Sequence, residues 1–224
     1  MKLKFFVLTF LLLFARGCDF YSTSLWFFDN PTDEQNILYK YFGVGWTGLI
    51  ISNVIIVGII VYTFYYYTFK HSPTKFKSTS NNLPDFVSEL YFNEKGRFLE
   101  IFYKTPENKK ILLAHSGYVF VRVCIFGSFL ATVHNLCQFY DISFYNSFRD
   151  LVGRPLYVIY GLIIVSFHYF IYRLWSEEYR LTIDNHISET WKRNALNGFV
   201  SWRQNFLVIV FLFASVLWSL LEFI

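Results

Sequence analysis

The apolar positions fall into five long runs, at approximately residues 5–28, 44–69, 111–139, 155–175 and 204–224, separated by polar stretches. A hydrocarbon core about 30 Å thick needs about 20 helical residues at a rise of about 1.5 Å each, so every run predicts a spanning helix. The pattern therefore predicts an all-α polytopic transmembrane bundle, a single membrane domain over residues 1–224. The second, fourth and fifth runs are nearly free of charge. The first carries Arg16 and Asp19 and the third carries His115 and Arg122. Ionisable groups at membrane depth are costly and usually face the bundle interior.

Between the second and third runs the chain turns polar. Ser72-Pro73, Ser78-Thr-Ser-Asn-Asn82 and Leu83-Pro84 predict a loop that ends the second helix. After it, Val87 to Phe92 and Arg97 to Tyr103 flank Asn93-Glu-Lys-Gly96, a pattern that predicts a small hairpin or docking segment with Gly at the turn. The 173–203 stretch alternates charged and apolar residues and predicts a helix. Neither loop is large enough for an independent domain, and no internal repeat is visible.

Charge then sets an orientation. With a cytoplasmic N-terminus, the inner side holds Lys2 and Lys4, eight Lys or Arg over 70–110 and five over 173–203, fifteen in all, against Lys40, Arg149 and Arg154 outside. The positive-inside rule favours this arrangement, with both loops cytoplasmic and the C-terminus outside. A bacterial cytoplasmic membrane is the expected location.

Composition agrees, with 54% apolar and 16% charged residues against about 45–50% and about 25% in soluble domains. The net charge of +4 is not gathered into one basic stripe, which argues against nucleic acid as the main direct partner. Cys18, Cys124 and Cys137 form no CxxC, so neither a disulfide framework nor a zinc ribbon is indicated. Lys2 and Lys4 before an apolar run ending Ala15-Arg16-Gly17-Cys18 also fit a signal peptide with a lipoprotein box. Cleavage before Cys18 would leave four spans. Arg16 is atypical for such a box, and the expectation is a retained helix.

Candidate chemistry sits on the polar residues within or beside the runs. Arg16, Asp19, Ser22 or Thr23, and Trp26 recur at helical spacings of three and four and so share one face. They read either as a proton, ion or substrate site or as a structural ion pair, and the pair is favoured because a neutralised charge needs no further purpose. Glu34 and Asn36 form an outer-face cluster whose oxygens suit a hard cation or cap the second helix. Asn53, His115, Arg122, His134 and His168 read as bundle-interior groups making interhelical hydrogen bonds, as do Ser215 and Ser219. His134, Cys137 and His168 lack a supporting ligand spacing, so no metal and no cofactor is expected.

The order Asp19-Phe-Tyr-Ser22-Thr23, Glu34-Gln-Asn36 and Gly43-Val-Gly45-Trp46 resembles an uncharacterised family of small polytopic membrane proteins of Bacteroidetes and other prokaryotes. Ile37 stands where that family often has Pro. The likeness extends through Phe102-Tyr-Lys-Thr-Pro106 and Gly117-Tyr-Val119. It implies architecture and candidate residues, since the family carries no activity to transfer. Separately, Arg180 and His186 have the spacing of the Arg and His of HEPN-type ribonucleases, but chance alone supplies on the order of one such pair in a chain of this length. In size, span count and charged loops the chain is also similar to membrane accessory proteins of type VI-B CRISPR systems.

These readings lead to a non-enzymatic accessory or regulatory membrane protein acting through its cytoplasmic loops. Such a protein could serve an RNA-targeting CRISPR effector, and its expected partners are the bilayer and either another protein or a second copy of itself. The alternative is a small oligomeric transporter or channel-like protein built on the Arg16/Asp19 face. An enzyme ranks last, because no nucleophile is paired with a base and an orienting group.

Overall fold

The computed structural model describes residues 2–27, 45–72, 80 and 82–186, with side chains as far as 182. Among the described residues the fold is all-helical, with no strand. Helices α1 (Lys2–Phe27) and α2 (Trp46–Phe69) are followed by the short α3 (Leu83–Phe92) and a 3-10 helix (Phe98–Phe102). Then come α4 (Lys109–Phe139), the short α5 (Ser143–Val152) and α6 (Pro155–His186).

Three of these helices are long and apolar enough to cross a membrane: α2, α4, and α6 as far as Thr182. Along α2, Ile51, Val54, Ile55 and Ile59 are exposed over successive turns. Such a continuous exposed aliphatic face is costly in water and natural against lipid. The expectation of five spans is thereby reduced to three among the described residues. Arg16 and Asp19 interrupt the apolar run of α1, which is not one of the three, and the 204–224 run lies outside the described residues.

The chain divides into two compact units, Met1–Tyr62 with Phe120–Ile164, and Thr63–Val119 with Val165–Ile224. In the first unit Leu12, Ala15 and Leu49 are fully or nearly buried. Phe20 meets Trp46 edge-on at 5.7 Å, and Phe14 lies 6.4 Å from Phe129. Helix α5 buries Tyr145 and leaves Phe144 and Leu151 exposed.

In the second unit α3 is the keystone. Leu83, Phe86, Val87, Leu90, Tyr91 and Phe92 form one buried cluster with Ile111 of α4 and Trp175 and Tyr179 of α6. This segment corrects the hairpin expectation. Leu83, Phe86, Val87 and Leu90 repeat at helical spacing, and Asn82 caps the start, its side-chain oxygen accepting from the Asp85 amide at 2.9 Å with Pro84 in the first turn. The turn residues are real but serve another purpose. Asn93 (φ 59°) closes the helix in the left-handed conformation, and Gly96 (φ 78°) lets the chain fold back. There the Gly96 amide donates to Asp85 and the Arg97 amide donates to the Ser88 hydroxyl.

Two further details position the site. A Cβ on Gly117 of α4 would collide with the Thr63 carbonyl group and the Phe64 amide of α2, so the two backbones approach as closely as only glycine allows. The fourth apolar run and the start of the polar 173–203 stretch are one continuous helix. No Gly or Pro stands at the junction, and Arg173 pairs with Glu177 one turn on at 3.0 Å.

A buried His–Glu–His centre as the candidate functional site

Near the C-terminal end of α2, the first turns of α4 and the last third of α6, three side chains of the second unit converge. His71 follows α2, His115 lies in the second turn of α4, and Glu178 is on α6. Glu178 is 1% exposed. A buried carboxylate is costly unless its oxygens are paired, and here both are. Oε1 lies 2.7 Å from His71 Nε2 and Oε2 lies 3.0 Å from His115 Nε2.

The other side of His115 is held as tightly. Its Nδ1 is 2.6 Å from the Tyr91 hydroxyl of α3, and Trp175 Nε1 donates to the same hydroxyl oxygen at 3.3 Å. With Glu178 ionised, His115 Nε2–H donates to the carboxylate and Nδ1 accepts from Tyr91. Burial pushes the Tyr91 phenol well above its ordinary value, opposed in part by the Trp175 hydrogen bond and reinforced by the Glu178 charge. Tyr91 therefore remains a hydroxyl, able both to donate and to accept. The rings of His71 and His115 meet edge-on at 5.4 Å, and Tyr67 stacks against His71 at 5.6 Å.

A cavity of about 280 Å³ opens beside this centre. Its wall includes His71, Glu178, Lys70, Lys110, Phe86 and Ile111. His71 and Glu178 thus face the cavity, while His115 stands behind them against Tyr91.

Outside the helices that reach the centre, the polar segment carries a surface charge network. Arg97 binds Glu100 at 2.8 Å, Glu107 at 3.0 Å and Glu94 at 3.2 Å, and its guanidinium lies 4.6 Å over the Phe92 ring. The Arg97 and Lys104 hydrogen bonds hold the Glu100 carboxyl below its ordinary value.

The first unit gathers the residues anticipated on α1. Arg16 Nη1 contacts Asp19 Oδ2 at 2.6 Å and the Ser128 hydroxyl at 3.0 Å, and Nη2 donates to the Asn53 side-chain oxygen. Asn135 donates to the hydroxyls of both Ser22 and Thr23 at 3.2 Å. His134 is buried against the Tyr145 hydroxyl. Arg16 meets polar partners from α2 and α4 while Asp19 pairs with it along α1, which is the geometry of an interhelical clasp.

The remaining anticipated residues are dispersed. Arg122 is half-buried on α4, His168 is half-buried on α6 with its ring against Phe167, and Arg180 is exposed. His186 ends α6, with its side chain outside the described residues, as are Glu34 and Asn36. Sequence reasoning reached His115 but not His71, Tyr91 or Glu178. His71 falls in a charged loop, and Glu178 hides in a Glu-Glu pair within an apparently solvated stretch. The available signal was the buried helical face of Leu174, Trp175, Glu178 and Thr182, whose only carboxylate is Glu178.

No family model, no curated protein and no solved structure matches the chain.

Proposed function

We propose that this chain is an integral protein of the bacterial cytoplasmic membrane, in which the His71–Glu178–His115 centre controls a partner-engaging cytoplasmic segment. The N-terminus is cytoplasmic, as the fifteen-to-three distribution of Lys and Arg favours. With α1 taken as a further crossing, its Arg16 and Asp19 paired with one another, that orientation puts the centre and its cavity at the cytoplasmic ends of α2 and α6, where a soluble ligand or lipid headgroup can reach them.

The observation that carries the reading is the Tyr91–His115 hydrogen bond of 2.6 Å. Helix α3 belongs to the polar 70–110 segment, and Tyr91 ties it to an imidazole whose other nitrogen is held by Glu178. A change of occupant at the centre alters which nitrogen of His115 carries the proton. That change is felt by Tyr91 and passes to the α3 packing. A regulatory protein acting through its cytoplasmic segment needs a link of this kind.

The test is complementation of a deletion strain with wild-type protein, Glu178→Gln and His71→Ala, read by pooled fitness profiling with membrane levels measured in parallel. Variants that reach wild-type abundance yet fail to complement support the proposal. Full complementation by both would remove the centre from the function and return the accessory role to other surfaces.

A further inference from the structure

We propose that His71 Nε2, His115 Nε2 and the Glu178 carboxylate bind one divalent first-row transition-metal ion of the Zn²⁺ class, with a fourth position open to the cavity.

The donor atoms offered by these three residues all lie within 4.8 Å of one another. Around a tetrahedral ion with bonds of about 2.0–2.1 Å, neighbouring ligand atoms sit about 3.3 Å apart. The separations of 2.7 and 3.0 Å from Glu178 to the imidazoles must therefore open by only a few tenths of an ångström. Two imidazoles and one carboxylate select Zn²⁺ and its first-row neighbours over Mg²⁺ or Ca²⁺, whose shells are built from oxygen. Two-His, one-carboxylate sets characteristically keep a coordination position free for water or a ligand. Here the free side is fixed by the fold, because His71 and Glu178 line the cavity while His115 lies behind them, against Tyr91.

The surroundings supply what such a site needs beyond its ligands. An ion at His115 Nε2 requires the proton on Nδ1, and Nδ1–H then donates to the Tyr91 oxygen. Tyr91 accommodates both tautomers, since its hydroxyl donates to a bare Nδ1 and accepts from a protonated one. Trp175 Nε1–H keeps that oxygen oriented in either state. The ion's charge is offset by Glu178, and Lys70 and Lys110 at the cavity wall favour a water or an anion at the fourth position.

This inference takes its location from the centre proposed above, and its failure is separable from failure of that reading. Metal content is measured on the purified full-length protein, whatever the fitness result.

The experiment strips the detergent-solubilised protein with chelator and reloads it separately with Zn²⁺ and Co²⁺. Metal is then counted by plasma mass spectrometry, and the Co²⁺ spectrum is recorded. One equivalent per chain, intense visible Co²⁺ bands of a four-coordinate site, and loss of at least tenfold in affinity in His71→Ala would support the inference. His71 is the least buried of the three ligands, which favours a folded variant. X-ray absorption of the Zn²⁺-loaded wild type provides the second readout and must show imidazole scattering from two histidines. Less than 0.2 equivalent, binding that survives His71→Ala unchanged in a folded protein, or a spectrum without imidazole would overturn it.

Discussion

The Tyr91 hydroxyl and His115 Nδ1 lie 2.6 Å apart in a buried environment, joining a helix of the polar segment to a helix able to cross the membrane. Tyr91→Phe keeps the ring and deletes the bond. It leaves His115 Nδ1 and Trp175 Nε1 without that partner, at a cost of about 1–3 kcal/mol for buried groups left unsatisfied. Thermal unfolding in detergent should show the loss, and limited proteolysis should cut residues 82–108 sooner than in the wild type. Unchanged stability and cleavage would mean that the bond carries no weight.

The contact of Gly117 with the backbone at Thr63 and Phe64 makes a sharp steric prediction. Gly117→Ala should destabilise by at least about 1–3 kcal/mol, the usual cost of forcing a methyl group into a packed interface. Gly161 on α6 has nothing within 4 Å of a built Cβ, so Gly161→Ala should be neutral or slightly stabilising. Comparing the two melting curves checks the prediction, and equal curves would deny the close approach.

For the α1 clasp, Asp19→Asn leaves Arg16 with neutral partners among the described residues, Asn53, Ser128 and the Phe20 ring. Removing one member of a buried pair costs about 3 kcal/mol, discounted here because Arg16 and Asp19 are only partly buried. The double change Arg16→Gln with Asp19→Asn should recover most of the loss. A stable double mutant that lacks function would revive the proton, ion or substrate reading of Asp19.

The Arg97 network predicts a pH effect confined to the surface. Glu100 has a lowered pKa in the folded protein, so its contribution to stability is present above the ordinary carboxylate value. That contribution is lost as pH falls through the depressed folded value. Arg97→Ala should move the Glu100 titration, followed by carbon NMR, upward toward the ordinary carboxylate range. A titration that stays put would show Lys104 alone to be sufficient.

How far the sequence was readable depends on what each signal measures. Apolar run length located α2 and α4 to within two residues at their starts, because lipid selects uninterrupted apolar stretches and little else. The spacing along α1 foretold the shared face of Arg16, Asp19 and Ser22, since helical periodicity is local. It could not foretell Asn53, Ser128 and Asn135 as partners, which depends on packing between distant segments. At α3 the pattern places a turn at Asn93 and Gly96, where the chain does turn, but the flanking residues 87–92 and 98–102 are helical and not the arms of a hairpin. The deciding cap, Asn82 followed by Pro84, sits among residues whose composition predicts a loop. The His–Glu–His centre was invisible for a related reason. Its ligands lie 44 and 63 positions apart, and no local spacing announces them.

Through His115 and Tyr91 the Glu178 centre holds the α3 segment, and hydrogen–deuterium exchange of Glu178→Gln against wild type in lipid nanodiscs measures that hold. The account predicts that amides of residues 86–92 lose protection by tenfold or more, equivalent to about 1.4 kcal/mol, while those of residues 50–60 in α2 exchange as in the wild type. Identical protection of residues 86–92 in the two proteins would contradict it.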